Sequence, residues 1–302
     1  AMVSGKNLGT RMAFIVPCIL LLVAVVGISG KAQAADAGKL RIIVFGAHPD
    51  DCEIRVGGTA AKWAKLGHKV KFVSTTNGDI GHAFMAGGPL AQRRTREVEE
   101  AAEVLGIETE VLDIHDGEIM PTFENRKKII RLIREWKADI VISNRPWDYH
   151  PDHRYTSILV QDSAYMVTVP FICPDVPYLE SNPVFLWWAD RFEKPCPFEP
   201  HIVVGIDDVL DQKYQALHCI ESQFYEFGCG GTDKSKWIED DEETRLAYLK
   251  SRRKFNVHDS WRPVLEEFYG KEEAAKIKTA EAFEICELGR RPSNEELKRL
   301  FP

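Results

Sequence analysis

The feature that most constrains the fold is the alternation of short apolar runs with segments of helical character. Residues 40–45 (LRIIVF) form a near-continuous apolar run, which is typical of a strand covered on both faces. Further strands are predicted at 70–75, 110–114 and 139–143, with helices between them at 59–67, 91–105 and 123–136. Alternating strands and helices predict a Rossmann-like, doubly wound and mostly parallel sheet in a three-layer α/β/α fold.

The second half of the chain has a less regular pattern. Proline and aromatic residues are frequent from 170 to 200, and this segment is predicted to be irregular, forming a wall over a site. A further strand is predicted at 201–206 and helices at 207–225, 234–254 and 271–287.

The N-terminal residues are expected to lie outside the globular fold. Lys6 and Arg11 precede an uncharged run over residues 12–30, and Ala32-Gln33-Ala34 is a small-residue cleavage pattern. This order predicts a secretory signal peptide over residues 1–34, a single domain over residues 35–302, and a secreted or periplasmic protein with no stable membrane anchor. The alternative is an uncleaved segment that anchors the protein, because the run is nearly long enough to span a membrane.

Removal of Cys18 with the signal peptide leaves six cysteines, an even number that permits disulfides in an oxidising compartment. The pairs to test are Cys173–Cys196 and Cys219–Cys229. The alternative is a set of mostly buried free thiols.

Polar side chains follow each of the four predicted parallel strands. His48 follows the first strand, Asn77 the second and Asp116 the third, and residues 145–153 follow the fourth. Ligands bind beyond the carboxyl ends of the strands in open α/β sheets. We therefore expect these clusters to meet at one edge of the sheet and form a site there.

Two of the clusters contain histidine beside carboxylates: HPDD at residues 48–51 and HPDH at residues 150–153. Either motif alone has an ordinary explanation, because Asp50 or Asp51 can cap a helix and an isolated HxxH is usually solvated. Together, imidazole nitrogen and carboxylate oxygen form a donor set that suits Zn²⁺. An adjacent free carboxylate can then serve as a general base.

The motif AHPDDCE (residues 47–53), followed by HPDH, resembles the PIG-L/LmbE-type family of zinc-dependent N-deacetylases, including deacetylases of N-acetylglucosamine conjugates. The resemblance covers most of residues 42–156. Four other features are similar to the family pattern: Arg94-x-x-Glu97, Asp116-Gly117, Lys213-x-x-Ala216-Leu217 and Ser222-Gln223.

The resemblance implies an LmbE-like fold and a set of metal ligands, namely His48, Asp51 and His153. The metal is Zn²⁺, and Fe²⁺ is the alternative because it accepts the same ligands. Asp50 would activate a water molecule at the metal, so that an N-acetyl group is hydrolysed from an amino sugar or its conjugate.

Further roles are implied for residues around the reacting group. His150 would stabilise the oxyanion as an imidazolium, and Asp152 would orient the His150 ring. Arg94 and Asp116 would hold sugar hydroxyls, although Arg94 can also pair with Glu97 one helical turn later.

The sequence departs from the family pattern at Arg55, where the resemblance implies a small or apolar residue. Two other functions stay open: a metal-dependent hydrolase of another amide or ester, and a sugar-binding module without activity. The net charge of −7 argues against nucleic acid as a partner. The expected partner is a small N-acetylated sugar or glycoconjugate, and homo-oligomer formation is left open.

Overall fold

In the computed structural model, the alternating elements form one mixed sheet with helices on both faces. The structure describes residues 38–226 and 241–302. Within them, the strands are β1 (Arg41–Gly46), β2 (Lys69–Ser74), β3 (Glu108–Val111), β4 (Ile140–Ser143), β5 (Val184–Trp188), β6 (Ile202–Gly205) and β7 (Ala280–Ile285). Their order in the sheet is β3-β2-β1-β4-β5-β7-β6.

The described helices form the two outer layers and the connections between strands. They are α1 (Asp51–Lys65), α2 (Gly88–Leu105), α3 (Phe123–Trp136), α4 (Pro151–Met166), α5 (Leu210–His218), α6 (Glu221–Phe224), α7 (Glu242–Arg252), α8 (Arg262–Tyr269), α9 (Lys271–Lys276) and α10 (Asn294–Leu300). A single 3₁₀ turn, Asp259–Trp261, precedes α8.

Strand β1 lies at the centre of the sheet and is buried on both faces. Ile42 and Val44 belong to the apolar core on one side of the sheet, while Ile43 and Phe45 belong to the core on the other. Alternate side chains of a strand point to opposite faces, so a strand between two helical layers needs apolar residues at every position. The predicted three-layer α/β/α fold is confirmed.

The first five strands are all parallel. Strand β1 pairs in parallel with β2 and β4, β2 with β3, and β4 with β5. The loops that follow β1, β2, β3 and β4 therefore leave from the same edge of the sheet. This arrangement confirms the predicted convergence of the polar clusters.

The observed elements differ from the predicted ones in several places. The first helix begins at Asp51, so the HPDD motif opens α1 and the helix continues through Gly57-Gly58. The segment from 170 to 200 was predicted to be irregular, but it contains the buried strand β5. The run VFLWW that forms this strand is short and directly follows Pro183. An additional helix, α4, which the sequence analysis did not predict, starts at Pro151 and carries the HPDH motif.

The prediction of a helix over residues 271–287 is wrong. The segment forms α9 and then β7, which inserts between β5 and β6 and pairs antiparallel with both. The sequence AEAFEI consists largely of good helix formers, yet its first four residues are all buried. Pairing with two neighbouring strands overrides the local helical preference.

Some predictions concern residues outside the described part of the chain. The signal peptide over residues 1–34 and residues 234–240 of a predicted helix fall there, and the domain boundary at residue 35 stays a prediction. The compact unit spans Leu40–Pro302. Among the described residues, none of the helices combines the length and apolar character that a membrane crossing needs.

Of the two cysteine pairs to test, Cys173–Cys196 does not form a disulfide, because both residues are free thiols. Cys173 is buried, with its Sγ 3.8 Å from the carbonyl oxygen of Lys127, whereas Cys196 is exposed beside Arg145. Cys219 is also free, and Cys229 lies outside the described residues.

A buried ion pair fastens helix α1 to β7. Lys213 Nζ lies 2.5 Å from Glu281 Oε1, and it also donates to the carbonyl oxygen of Ile54. Glu281 accepts from the backbone N–H groups of Gly58 and Thr59 at 2.8 and 2.7 Å. These bonds join the helix that carries the HPDD motif to the antiparallel part of the sheet.

Replacing Lys213 with Met is expected to lower the free energy of unfolding by about 3–5 kcal/mol, because it leaves the Glu281 carboxylate buried without a counter-charge. Urea unfolding followed by circular dichroism measures the change. Lys250→Met is the matched control, since Lys250 pairs with Asp211 on the surface and its loss should cost at most about 1 kcal/mol. Equal effects of the two substitutions would contradict the structural role of the pair.

Candidate active site

The loop after β1 folds back tightly on the start of α1. A Cβ atom at Gly46 would lie 2.8 Å from the Cβ of Asp51, so this position requires glycine. The Asp51 Oδ2 atom accepts hydrogen bonds from the backbone N–H groups of Ala47 and His48 at 2.9 and 3.0 Å. Asp50 makes no side-chain capping bond to α1, so its carboxylate stays available for another role.

The three predicted metal ligands meet at the edge of the sheet. His48 Nδ1 lies 3.2 Å from His153 Nε2 and 3.7 Å from Asp51 Oδ2, and His153 Nε2 lies 3.4 Å from the same oxygen. Tetrahedral zinc, with ligand bonds of about 2.0–2.1 Å, requires donor atoms about 3.3 Å apart. The three donor atoms therefore fit a zinc ion.

Carboxylates orient both of these histidines from the side away from the ligand cluster. His48 Nε2 lies 3.0 Å from Asp116 Oδ1 and 3.5 Å from Asp152 Oδ2. His153 Nδ1 lies 3.0 Å from Asp148 Oδ1. Such carboxylate–histidine pairs fix the tautomer of metal-binding histidines and raise their basicity.

The electrostatics of the cluster favour a bound cation. Burial lowers the pKa of His48, but hydrogen bonds to Asp116, Asp152 and Asp51 outweigh it and hold this pKa well above its ordinary value. Burial raises the pKa of Asp51, yet the charges of His153 and His48 outweigh that effect and hold this pKa well below its usual range. The Asp51 carboxylate thus stays ionised and attracts positive charge to the cluster.

Asp50 is held beside the ligands by Arg94. The two side chains are 3.3 Å apart, from Nη2 to Oδ2, and Arg94 also donates to the carbonyl oxygens of Gly78 and Pro49. Gly78 has a φ of +65°, and a Cβ atom there would lie 2.3 Å from Arg94 Nη1. Burial raises the pKa of Asp50, partly opposed by the positive charge of Arg94.

The alternative pairing of Arg94 with Glu97 is not observed. Glu97 instead lies 3.0 Å from Arg93 Nε and accepts hydrogen bonds from the backbone N–H and hydroxyl of Ser222. Arg94 is 2% exposed, although it lines the cavity described below. Its contacts assign it to the positioning of Asp50, and its predicted contact with substrate stays a prediction.

His150 is the N-cap residue of α4. Its Nδ1 accepts a hydrogen bond from the backbone N–H of Asp152 at 3.2 Å. An accepting Nδ1 carries no proton, so this contact favours a neutral ring with its N–H at Nε2, whereas the resemblance implied an imidazolium. The pKa of His150 is correspondingly lowered by burial and by the charges of His48 and His153.

Asp152 contacts His150 through its backbone rather than through its carboxylate. The Asp152 carboxylate is fully buried, where Oδ2 accepts from the backbone N–H of Gly117 at 2.6 Å and lies 3.5 Å from His48 Nε2. Its Oδ1 has no hydrogen-bond partner among the described residues. Its observed position thus supports the metal ligand His48 rather than the ring of His150.

Asp116 also contacts His48, and its backbone N–H donates to Asp79 Oδ1 at 3.1 Å. Asp79 in turn lies 2.5 Å from His115 Nδ1, so a buried carboxylate shapes the turn that presents Asp116. The Asn77 side-chain amide donates to the Asp113 carboxylate and not to a predicted metal ligand. The structure therefore brings together all of the predicted site residues, while the predicted substrate contact of Asp116 is untested.

The sequence analysis did not single out Asp148 or Tyr149. Asp148 holds His153, and the only sequence signal for it was its place in the same motif as the histidines. The ring of Tyr149 packs against the rings of His150 and His153, with centroids 5.7 and 5.4 Å apart, and stays 74% exposed.

These residues line an open cavity of about 540 Å³. Its floor contains the ligand cluster, Asp50 and Asp116, and its walls include Asp148, Tyr149 and His150. Another part of its wall comes from later parts of the chain: Asp190, Arg191, Phe192, Gln223 and Arg253. The volume is in the range of small-molecule sites.

A three-layer α/β/α fold with a His-Asp-His cluster and an adjacent carboxylate defines a metal-dependent hydrolase. Residues 43–164 match the model of the PIG-L family, described as GlcNAc-PI de-N-acetylase. The chain is 31% identical to the diacetylchitobiose deacetylase of Thermococcus kodakarensis over 192 residues, which cover 62% of this chain and 71% of the relative. The chain belongs to the PIG-L family, which confirms the predicted family and its enzyme class, the metal-dependent N-deacetylases.

Two further proteins are similar to the chain. One is the solved N,N'-diacetylchitobiose deacetylase of Pyrococcus horikoshii, with a TM-score of 0.61, 26% identity and coverage of 82% of this chain and 84% of the other. The second is the 4-oxalmesaconate hydratase of Pseudomonas putida, 25% identical over 60% of this chain and 73% of the relative.

Replacing Asp148 with Ala is expected to weaken zinc binding about 10- to 100-fold, because His153 loses the carboxylate that orients it. Competition with a fluorescent chelator measures the affinity. Asp113→Asn is the control, since Asp113 lies in the loop after β3 at the same edge of the sheet but bonds Asn77 rather than a histidine. An unchanged affinity of the Asp148 variant would show that His153 does not need this partner.

Proposed function

We propose that the protein hydrolyses the N-acetyl group of an N-acetylated amino sugar or its conjugate. The observation that carries this proposal is the position of Asp50, a free carboxylate held by Arg94 beside three converging metal ligands. The substrate class is supported by the 31% identical relative, a diacetylchitobiose deacetylase. An open cavity of about 540 Å³ above the cluster has room for a sugar.

We assign the metal to His48, Asp51 and His153, with Zn²⁺ as the ion and Fe²⁺ as the alternative. The chemistry that zinc supplies in such a site is Lewis acidity, which polarises a carbonyl and lets water lose a proton near pH 7. His150 also lies near the cluster, since one of its ring nitrogens is within 4.8 Å of a ring nitrogen of His48 and of one of His153. We give His150 a different role, because its Nδ1 is already bonded to the helix backbone.

The protein side chains then divide the proton transfers. Asp50 takes a proton from a water molecule while the oxygen of that water forms a bond to the acetyl carbon. The raised pKa of Asp50 suits a base that must also return this proton. His150 donates a hydrogen bond from its Nε2–H to the developing oxyanion. When the carbon–nitrogen bond breaks, Asp50 gives its proton to the leaving nitrogen, and the products are acetate and a free amine.

Two other activities remain as alternatives. The hydratase relative favours addition of water to a carbon–carbon double bond by the same carboxylate and metal ligands. The irregular part of the wall, residues 190–192, leaves hydrolysis of another amide or an ester as a further candidate. A non-catalytic sugar-binding module is the least favoured, because the full set of ligands and the free carboxylate are present together.

Asp50→Asn is expected to lower kcat by about a hundredfold to ten-thousandfold while zinc stays bound, because the variant loses the base and keeps every ligand. Acetate release by zinc-loaded protein is measured across N-acetylhexosamines and their conjugates, with metal content determined on the same samples. Asp113→Asn again serves as the control. Loss of zinc from the Asp50 variant would make Asp50 a ligand, and full activity would remove it as the base.

The same panel separates the alternatives. Turnover of esters or of an unsaturated carboxylate, without acetate release from any acetylated sugar, would replace the deacetylase proposal. Sugar binding without any turnover in zinc-loaded protein would indicate a binding module.

We also propose that residues 1–34 direct export and are then removed. The support is the order of charged, apolar and small residues in the sequence. N-terminal sequencing of protein recovered from the medium or periplasm should begin at Ala35. A product that keeps residue 1 and sediments with membranes would favour the uncleaved anchor.

A further inference from the structure

Three arginines from distant parts of the chain line the same cavity as the ligand cluster. Arg55 lies on α1, one turn after Asp51, Arg191 lies in the loop after β5, and Arg253 directly follows α7. None of them contacts a metal ligand, and the proposed proton transfers do not use them.

The three guanidinium groups have no carboxylate partner in the described part of the chain. Within residues 38–226 and 241–302, no carboxylate oxygen is found within 4.0 Å of any of the three. Arg55 donates to the carbonyl oxygen of Ala189 at 3.2 Å, and the Arg253 guanidinium lies over the ring of Phe224 at 5.2 Å. This differs from Arg94 and Arg145, the buried arginines nearby, which pair with Asp50 and Asp190 respectively.

The three positive charges act on one another. Burial lowers the pKa of Arg253, and the positive charges of Arg55, Arg252 and Arg191 add to this effect, against the opposing charge of Asp50. Like charges held together without counter-ions are unfavourable, and an anion bound between them relieves the repulsion. The cavity thus has an acidic floor, which binds the metal, and a basic side.

Guanidinium groups are well suited to one kind of anion. Their planar N–H forks match the oxygens of carboxylate and phosphate, and they form paired, charge-assisted hydrogen bonds with both. Arg55 also stands where the family resemblance implied a small or apolar residue, so this charge distinguishes the chain from that pattern. A neutral sugar would leave all three charges unmatched.

We propose that Arg55, Arg191 and Arg253 bind an oxyanion, a carboxylate or phosphate group carried by the N-acetylated sugar or its aglycone. This inference rests on the proposed function, because it places the anionic group on the substrate of the same site. It makes the protein a deacetylase of acidic amino-sugar derivatives.

The test compares charged substrates with matched neutral ones on the full zinc-loaded protein. N-acetylmuramic acid is paired with its methyl ester, and N-acetylglucosamine 1-phosphate with methyl N-acetylglucosaminide. Release of free amine gives kcat/KM for each compound. The expected result is a preference of about tenfold or more for the anionic member of at least one pair, and the pair that shows it identifies the carboxylate or the phosphate.

Arg191→Gln and Arg253→Gln are each expected to reduce this preference about fivefold to tenfold. Arg290→Gln is the control, since it also removes an arginine charge but Arg290 pairs with Glu296 and does not line the cavity. Raising NaCl from about 20 mM to about 500 mM should also reduce the preference, because salt screens charges that solvent reaches.

Equal kcat/KM values within both pairs would overturn the inference and leave the proposed deacetylation intact. A control variant that changes the preference as much as the cavity variants would also overturn it. If no compound is deacetylated, the proposed function fails, and calorimetric binding of the same pairs then decides the role of the arginines. Tighter binding of the anionic member that is lost in Arg191→Gln would support the site, whereas equal binding would overturn it.

Discussion

The balance of charge at one edge of the sheet is the constraint on which the site depends. Four carboxylates surround the imidazoles of His48 and His153. Asp51 lies beside both rings, Asp116 and Asp152 lie beside His48, and Asp148 lies beside His153. Buried carboxylates at this density repel one another unless positive charge lies between them. A divalent cation would supply that charge, and the carboxylates in turn hold each imidazole with one nitrogen facing the cluster. The metal and the geometry of its ligands therefore depend on each other.

Much of the parallel half of the fold follows from local sequence patterns. Apolar runs such as residues 40–45 are visible because a strand covered on both faces has apolar residues at successive positions. Parallel pairing then places their carboxyl ends together, so His48, Asp116 and the HPDH motif had to lie near one another. The ligand set came from the family resemblance, and the distances between donor atoms agree with it.

The antiparallel half could not be read in the same way. Strand β7 contains residues that favour helices, and it becomes a strand because β5 and β6 pair with both of its edges. Its Glu281 is buried with Lys213, a partner 68 residues away. The contacts of Asp152 were also missed, because its carboxylate reaches His48 on another loop while only its backbone meets His150. Such choices depend on tertiary contacts that spacing along the chain does not encode.

Two different stretches of the sequence form the cavity. Its reactive floor lies within residues 43–164, the part that matches the family model. Much of its opposite wall, including Arg191 and Arg253, comes from residues beyond that part. Substitutions in this wall can therefore change which molecules the cavity admits without altering the residues of the reactive floor.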